Sequence, residues 1–329
     1  MAYRRHKSRP TIIIVTPYLA AANNGNWRTA RRWADLLQDN YAVIVQSDWN
    51  GEPCDLMIAL HARRSHAAIS RMRDSASKVP LIVVLTGTDL YKDLPTSDEA
   101  QKSLELADAL VVLQEDAIHY VPLKHRSKTH VIYQSARTLK TAHKSSTHLN
   151  CVAVGHLRYE KDPLTLLRAI DKIAPQQQLH VLHIGAPLDD DLANAARSLA
   201  ARDKRYRWVD ALPHGLTRAA IKRAHLLIHP SILEGGANVI VEALTSGTPV
   251  VASAMSGNIG MLGKDYPGYF PVGDADALAE LLEKCGNDRN FYSRLNNAAK
   301  ARAPLFTPAA EKRSLAKLVS ELLGDQSVD

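Results

Sequence analysis

The sequence predicts an α/β protein with two doubly wound domains, and three observations support this prediction. The chain has 329 residues, which is longer than a single domain usually is. Short apolar, β-branched runs alternate with amphipathic helical patterns, which is typical of parallel sheets with helical crossovers. This alternation occurs twice, and a polar stretch without apolar periodicity separates the two series.

The first series begins with the apolar run of residues 11–16, which is typical of a central parallel strand covered on both faces. A glycine-containing turn at residues 23–26 and a helical pattern at residues 27–37 follow this run. Further strands are predicted at residues 42–46, 55–60, 81–86, 109–113 and 129–133.

The second series has the same architecture. Its strands are predicted at residues 151–155, 179–185, 207–209, 226–229 and 249–253. Its helices are predicted at residues 163–173, 188–201 and 237–246. Pro304 and Pro308 bracket a break before a last predicted helix at residues 309–323.

These patterns divide the chain into five parts. They are a basic tail (1–10), an N-terminal Rossmann-like domain (11–135), a linker (136–148), a C-terminal Rossmann-like domain (149–303) and a C-terminal helix with a tail (304–329). Doubly wound domains bind ligands at the carboxyl ends of their strands. In this chain those ends can face one another across a cleft, and the last helix can cross back to the N-terminal domain.

Composition and charge narrow the classes of partner. The formal net charge is +7, but four cations of the tail supply more than half of this excess. A nucleic-acid-binding protein concentrates cations on one face, so we expect small anionic ligands and no nucleic acid. The apolar runs fall far short of the about 20 residues that cross a bilayer, so no membrane insertion is expected. With no secretory signal pattern visible, we expect a soluble, cytoplasmic protein.

Cysteines and acidic clusters give no sign of a disulfide framework or a metal. Three isolated cysteines predict buried thiols in a reducing compartment. The acidic residues at 189–191, and those at 274 and 276, precede helical patterns and are predicted to cap helices. We therefore expect neither a metal nor another cofactor.

The sharpest motif lies at residues 230–253, where a strand ends, a two-glycine turn follows and an amphipathic helix begins near Ala237. Backbone N–H groups at such a helix start can bind phosphate. Glu234 and Glu242 are eight positions apart, so they can contact different ends of one extended ligand. Their carboxylates can bind the hydroxyls of a hexose and of a ribose. An arbitrary pair of glutamates would more often lie in a turn and on a solvated helix face.

This segment closely resembles the sugar-nucleotide signature of retaining GT-B glycosyltransferases, in which seven residues separate two glutamates (E-x7-E). The resemblance implies a GT-B architecture of two Rossmann-like domains. It also implies that Glu234 contacts the hexose hydroxyls and Glu242 the ribose of a UDP-sugar. The residues between them that complete the implied donor site are Gly235 and Gly236, for the diphosphate, with Ala237, Asn238 and Val239.

A second segment, residues 154–163, follows the first strand of the C-terminal domain and enters a helix. It resembles the V-G-R-L…K-G stretch of the same family, in which an arginine and a lysine neutralise the departing diphosphate. Lys161 matches the family lysine, whereas His156 stands where the family has arginine. We expect Arg158, two residues on, to supply the second positive charge, which stabilises the leaving group electrostatically. The alternative is a set of surface cations beside a helix start.

Residues 80–91 resemble the family's P-x-V-x-T-x-H-G-T-D strand end, with Thr86 in the position of the histidine at the reaction centre. An ordinary hydroxyl acceptor needs help to lose its proton, whereas a soft anion needs no base. We therefore count Thr86 with Lys161, Arg158 and Glu234 as the predicted catalytic residues.

A closer resemblance is carried by seven segments, namely residues 24–30, 48–55, 59–65, 85–91, 112–116, 234–238 and 265–271. Together they resemble the selenosugar synthases of selenoneine biosynthesis, over about residues 11–285. The resemblance implies Se-glycosyl transfer. Selenophosphate attacks C1 of UDP-N-acetylglucosamine or a related UDP-hexose, UDP leaves, and loss of phosphate gives a selenosugar.

Residues of the N-terminal domain are predicted to bind this anionic acceptor. Asn26 and Arg28 lie at a helix N-terminus, and Arg63 follows the strand-terminal His61. Arg28 and Arg63 are the preferred anion contacts, whereas His61 can instead satisfy backbone groups beneath its loop. The neighbouring Arg64 can equally be a charged residue on the solvated edge of a helix, with no role in anion binding. The complete predicted acceptor set is Gly25, Asn26, Arg28, His61, Arg63, Thr86 and Thr88.

Two alternatives to this function stay open. The first is a conventional UDP-sugar-dependent glycosyltransferase with a hydroxyl acceptor, against which Thr86 counts. The second is a non-catalytic sensor that binds nucleotide sugars without turnover. The sequence leaves open the anomeric configuration of the product, the hexose preference, the place of dephosphorylation and the oligomeric state.

Overall fold

A computed structural model of the chain describes residues 9–17, 25–76 and 78–324 and contains two compact units. Unit 1 consists of the described residues up to Gln134 and from Pro308 onward, and unit 2 is Ser135–Thr307. Each unit contains one parallel six-stranded sheet. The predicted α/β class with two doubly wound domains is confirmed.

The sheet of unit 1 has the strand order β2-β1-β3-β4-β5-β6. Its strands are β1 (Thr11–Val15), β2 (Ala42–Gln46), β3 (Leu56–Leu60), β4 (Leu81–Leu85), β5 (Ala109–Val112) and β6 (Thr129–Val131). Every residue of β3 and β4 is buried, because helices cover both faces of the sheet centre. The edge strand β2 is the most exposed of the apolar runs.

The first three helices of unit 1 are α1 (Gly25–Leu37), α2 (His66–Ser75) and α3 (Asp98–Leu106). Helix α1 begins at Gly25, two residues before the predicted start, so Gly25 and Asn26 lie in its first turn. Asn23 and Asn24 of the predicted turn lie outside the described residues.

The sheet of unit 2 has the order β12-β11-β10-β7-β8-β9. Its strands are β7 (Leu149–Val154), β8 (Leu179–Ile184), β9 (Tyr206–Val209), β10 (Leu226–His229), β11 (Val250–Ser253) and β12 (Tyr269–Phe270). Its helices are α4 (Pro163–Lys172), α5 (Asp190–Arg202), α6 (His214–Arg223), α7 (Asn238–Leu244), α8 (Ser256–Leu262), α9 (Ala275–Asn287) and α10 (Arg289–Arg302).

Residues 136–148, which we predicted as a linker, contain no helix or strand and belong to unit 2. The Leu139 N–H donates to the Thr245 carbonyl at 2.9 Å, and the Lys144 ammonium donates to the Gly247 carbonyl at 3.2 Å. His225 Nε2 lies 2.9 Å from the Ser145 carbonyl. These hydrogen bonds hold the segment against the rest of unit 2.

The last helix, α11 (Pro308–Leu323), belongs to unit 1 although it follows all of unit 2 in the chain. Leu315 and Val319 lie in the same apolar core as Trp33 of α1. The buried Glu311 carboxylate accepts hydrogen bonds from the Trp33 indole at 2.8 Å and from Arg32 Nε at 2.8 and 3.0 Å. A buried carboxylate requires such partners, so Glu311 fixes α11 against α1.

None of the helices among the described residues has the length and apolar character needed to cross a membrane.

Candidate donor and acceptor sites

Adjacent strands of unit 2 bring the two predicted donor segments together. Strands β7 and β10 pair in parallel, so the loops that follow them start at the same edge of the sheet. The loop after β7 forms a short 3₁₀ turn, Tyr159–Lys161, and the loop after β10 leads to α7. The Ile232 N–H donates to the Glu160 carbonyl at 3.0 Å. This backbone bond holds the two loops side by side.

Lys161 and Glu234 form an ion pair at this edge. Their side chains are only 18% and 15% exposed, respectively. Burial alone would raise the pKa of Glu234, but the charge of Lys161, aided by His229 and Ser231, outweighs it and lowers that pKa. Glu234 is therefore ionised at neutral pH, and each charge of the pair compensates the other.

His229 stands behind this ion pair, at the end of β10. Its Nε2 lies 3.6 Å from Glu234 Oε1 and has no hydrogen-bond partner among the described residues. Burial lowers the pKa of His229 to about 4, so the ring is neutral at pH 7. The sequence analysis missed this residue. Its only signal is a histidine that ends an apolar strand directly before Pro230.

A buried polar network supports the Glu234 loop from the side of α8. A Cβ atom at Gly257 would lie 2.1 Å from the Glu234 carbonyl oxygen, so only glycine allows this approach. The Ser253 hydroxyl donates to the Ser231 carbonyl at 2.5 Å, and Asn258 Nδ2 donates to the Ser253 carbonyl at 2.9 Å. The loop backbone is thus fixed on two sides.

The loop after β7 is fixed from β8. His183 Nδ1 accepts the Tyr206 hydroxyl at 2.9 Å, and its Nε2 lies 3.3 Å from the Gly155 carbonyl. A Cβ atom at Gly185 would lie 1.9 Å from that same carbonyl oxygen. Burial lowers the pKa of His183 to about 4, against the raising effect of the Gly155 carbonyl. The neutral His183 therefore donates through Nε2 and positions Gly155.

The two candidates for the second positive charge differ in their partners. His156 is exposed, and its Nδ1 accepts the Ala186 N–H at 3.0 Å. Arg158 is also exposed, and its guanidinium has no hydrogen bond or ion pair within the described part of the chain. The Arg158 guanidinium is therefore available to an incoming anion, and its role as the second positive charge stays a prediction.

Glu242 marks a second position, on α7. Its side chain is largely buried, and Oε1 lies 2.7 Å from Nε2 of His214 at the start of α6. The His214 side chain is 60% exposed. The sequence analysis missed His214, because a single histidine 28 positions from its partner has no recognisable spacing.

One feature of the predicted phosphate-binding turn needs correction. The Ala237 N–H, expected to be free for a phosphate, already donates to Met261 Sδ at 3.1 Å. Ala237 is buried beneath α8 as the N-cap of α7. The other predicted members of this turn are at least partly accessible, namely Gly235, Gly236, Asn238 and Val239.

In unit 1, the buried Asp89 organises the loops after β3 and β4. Its carboxylate accepts the N–H groups of Thr86 and Gly87, both at 2.8 Å, and of Ala62 at 3.1 Å. The Thr86 hydroxyl faces the same carboxylate at 3.5 Å. Thr86 is partly exposed and Thr88 is exposed. Sequence reasoning assigned no role to Asp89.

Two predicted acceptor contacts are occupied by other groups of unit 1. His61 is buried; its Nδ1 accepts the Arg64 N–H at 3.4 Å, and its Nε2 lies 3.3 Å from the Thr88 hydroxyl. This is the backbone-satisfying role that we weighed as the alternative. Arg63 Nε lies 2.9 Å from Asp93 Oδ2, so its charge is already compensated. The prediction of Arg63 as a preferred anion contact overlooked this carboxylate.

The remaining predicted acceptor residues lie at the start of α1. Gly25 and Arg28 are exposed there, and Asn26 is partly buried. A separate cavity of about 370 Å³ lies after β1, β2 and β3, and its lining includes Ser47, Asp48 and Arg64. None of the predicted acceptor residues is among its described lining residues. Arg64 thus reaches a cavity that Arg63 does not.

The acidic clusters behave as the predicted caps. Asp189 accepts the Leu192 N–H at 3.0 Å, and Asp274 accepts the Ala277 N–H at 2.9 Å. Within the described residues, no group of three His, Cys, Asp or Glu side chains is arranged to hold a metal ion. Of the three thiols, Cys151 and Cys285 are buried, whereas Cys54 is only partly buried.

Sequence comparison gives one matching family and several relatives. The model of the family described as glycosyl transferases group 1 matches residues 137–302, half of the chain. A D-inositol 3-phosphate glycosyltransferase of Corynebacterium glutamicum is 31% identical over 196 residues, 55% of this chain and 46% of that protein. An uncharacterized glycosyltransferase of Methanocaldococcus jannaschii is 27% identical over 150 residues, 45% of this chain and 38% of that protein. The chain thus spans about half the length of the first of these relatives.

Structural comparison covers nearly the whole chain. Sucrose-phosphate synthase from Thermosynechococcus elongatus has a TM-score of 0.76 at 17% identity and covers 96% of this chain and 100% of its own. Anabaena HepE, solved in complex with UDP and glucose, has a TM-score of 0.72 at 17% identity and covers 95% and 100%, respectively. These likenesses confirm the predicted GT-B fold class.

Proposed function

We propose that this chain, which belongs to the glycosyl transferases group 1 family, transfers a hexose from a UDP-sugar to an anionic acceptor. The observation that carries this proposal is the cluster at the carboxyl ends of β7 and β10. There Lys161 and Glu234 form a shielded ion pair, and the guanidinium of the exposed Arg158 has no partner among the described residues. Cations that can bind a diphosphate and a carboxylate that can bind hydroxyls therefore stand side by side.

In the proposed donor complex, Lys161 and Arg158 bind the diphosphate and stabilise the charge that develops as UDP leaves. Glu234 accepts hydrogen bonds from hexose hydroxyls, and Glu242 accepts them from the ribose. The HepE structure, solved with UDP and glucose, supports a UDP-sugar as the donor class for this fold.

We propose selenophosphate as the acceptor and UDP-N-acetylglucosamine as the donor, within selenoneine biosynthesis. A selenium lone pair forms the bond to C1 while the bond from C1 to the UDP oxygen breaks. Water then cleaves the P–Se bond, which releases phosphate and a selenosugar. Thr86 supports this choice, because its N–H and hydroxyl face Asp89 and it offers no base for an alcohol. The resemblance of seven segments to selenosugar synthases supports it independently.

A second candidate is transfer to a hydroxyl of a phosphorylated alcohol. The relatives named D-inositol 3-phosphate glycosyltransferase favour it, and five of them are 30% to 33% identical to about half of this chain. Both candidates require the acceptor site to recognise a phosphate group, but they differ in the attacking atom and in whether phosphate is lost afterwards.

Mass spectrometry of the reaction products tests these functions. UDP-N-acetylglucosamine is mixed with selenophosphate, thiophosphate, phosphate, inositol 3-phosphate or no acceptor. We expect a selenium-containing hexosamine with stoichiometric UDP only in the first mixture. A glycosylated inositol phosphate would establish the second candidate instead. UDP binding without any product would contradict both and indicate a sensor.

A further inference from the structure

The donor cluster contains a conflict that the proposed function has to resolve. The Lys161 ammonium is bonded to Glu234, yet the proposed donor complex places the same ammonium on the diphosphate. When Lys161 moves, the Glu234 carboxylate is left in a largely buried position without its main counter-charge. An uncompensated buried carboxylate is unfavourable. Another group is therefore needed to hold Glu234 while Lys161 binds UDP.

His229 has the position and the chemistry for this task. Its Nε2 lies 3.6 Å from Glu234 Oε1, the same oxygen that Lys161 holds. That distance exceeds a normal N–H···O bond of about 2.9 Å, so a small movement would form one. The nitrogen is buried and has no partner among the described residues.

The charge state of His229 fits this role as well. The charged groups that face it are Glu234 and Lys161, and burial keeps the ring neutral by lowering its pKa to about 4. In a neutral ring only one nitrogen carries a proton. A carboxylate facing Nε2 favours the tautomer with the proton on that nitrogen. In the other tautomer the lone pair of Nε2 would face the negative charge, which is unfavourable. His229 therefore presents a donor to Glu234.

We propose that His229 is a positioning residue that takes over the hydrogen bond to Glu234 when Lys161 moves to the diphosphate of the donor. This inference rests on the proposed function. In the free protein Lys161 holds Glu234, and His229 Nε2 has no hydrogen-bond partner in the described part of the chain. In the donor complex Lys161 binds the diphosphate and His229 Nε2–H holds Glu234 in place for the hexose hydroxyls. The lysine can then change partners without exposing an unpaired carboxylate.

Calorimetric binding of UDP and UMP to the full chain tests this proposal, because UMP lacks the phosphate that draws Lys161 away. For His229→Leu we expect about tenfold weaker UDP binding, the effect of one charge-assisted hydrogen bond, and UMP binding within twofold of wild type. His229→Gln keeps an N–H donor and is expected to restore UDP binding. His180→Leu, an exposed histidine on β8, is the control and should change neither.

Two results would overturn the proposal. UDP binding that His229→Leu leaves unchanged would show that Glu234 needs no hydrogen bond from His229. Equal losses for UDP and UMP, or no rescue by His229→Gln, would show that His229 only fills the core. If the wild-type protein binds UMP but not UDP, the proposed function itself fails, which is a distinct outcome.

A measurement on the wild-type chain covers the case in which His229→Leu does not fold. Nitrogen-15 NMR of the histidine rings, with His229 assigned by its absence in His229→Gln, reports the tautomer and the hydrogen bond at Nε2. We expect a neutral ring protonated at Nε2, with a resonance that shifts on addition of UDP but not of UMP. A ring protonated only at Nδ1 would contradict the proposal.

Discussion

The Glu234 position and the Glu242 position of unit 2 are held by different physical means, although one motif supplies both carboxylates. Glu234 is shielded from water, paired with Lys161 and faced by the buried His229. Glu242 is equally inaccessible, but its partner His214 is 60% exposed. The first position depends on a shielded ion pair, whereas the second combines a contact to an exposed histidine with the nearby charge of the buried Arg218. Residues of one signature can thus differ widely in how sensitive they are to their neighbours.

The largest effect is expected from Lys161→Ala. It removes both the counter-charge of Glu234 and the proposed diphosphate contact, so kcat/KM for the UDP-sugar should fall about 100- to 1,000-fold. Steady-state kinetics with the acceptor that the product assay establishes measures this. Lys172→Ala, which removes an exposed lysine paired with Asp276, is the control. A loss of the same size in both variants would contradict a specific role for Lys161 at the UDP-sugar.

Substitution of two glycines tests how the Glu234 and Glu242 positions depend on the nearby backbone. Gly257→Ala places a Cβ atom 2.1 Å from the Glu234 carbonyl oxygen, so the loop must shift. A displacement of this kind should lower kcat/KM about 100-fold. Gly215→Ala, beside His214 on α6, meets nothing within 4 Å and should leave kinetics unchanged. Similar kinetics for both variants would mean that the Glu234 loop tolerates movement.

The buried histidines of unit 2 predict a loss of stability in acid. Burial lowers the pKa of His229 and of His183 to about 4, whereas an unfolded chain binds these protons near pH 6.5. The unfolded state therefore holds more protons between these values, and stability falls as the pH falls from 6.5 to 4. At pH 5 each histidine should lower the free energy of unfolding by about 2 kcal/mol.

Urea unfolding at pH 7 and pH 5 measures this difference. His229→Gln and His183→Gln should each reduce the acid-induced loss, whatever their effect at pH 7. An unchanged loss in either variant would show that the corresponding ring does not titrate in this range.

The smallest effect is expected at the exposed partner of Glu242. A polar contact to a largely exposed partner contributes little, so His214→Gln should change the affinity for UDP less than about threefold. Calorimetric titration with UDP gives the value. A loss as large as that of Lys161→Ala would mean that His214 is as important to the donor site as the buried pair.

Most of the fold was predictable because its strands are continuous apolar runs. Strands β1, β3 and β4 lie within one residue of their predicted bounds, since β-branched runs between turns admit few other structures. Strand β12 escaped prediction because two residues, Tyr269 and Phe270, show no periodicity. Helix α5 begins at Asp190 because Asp189 caps it.

The candidate site was predictable only where a residue follows a strand directly. Lys161 and Glu234 could be brought together in advance, because both follow parallel strands of one sheet. The pairing of Arg63 with Asp93 could not, since it depends on how a loop folds over 30 positions of chain. His229 and His214 were missed for a similar reason, since their partners are set by packing and not by spacing.

Helix α11 affects the order in which the two units of this protein can fold. The core of unit 1 includes Leu315 and Val319, and its Trp33 indole is bonded to Glu311, yet all of unit 2 is translated between α1 and these residues. Domains usually fold as they emerge from the ribosome. Unit 2 can therefore complete its core first, while unit 1, begun earlier, waits for its last helix. A nascent chain stopped before Pro308 would leave the α1 face of unit 1 uncovered, because Leu315 and Val319 would be missing from its core.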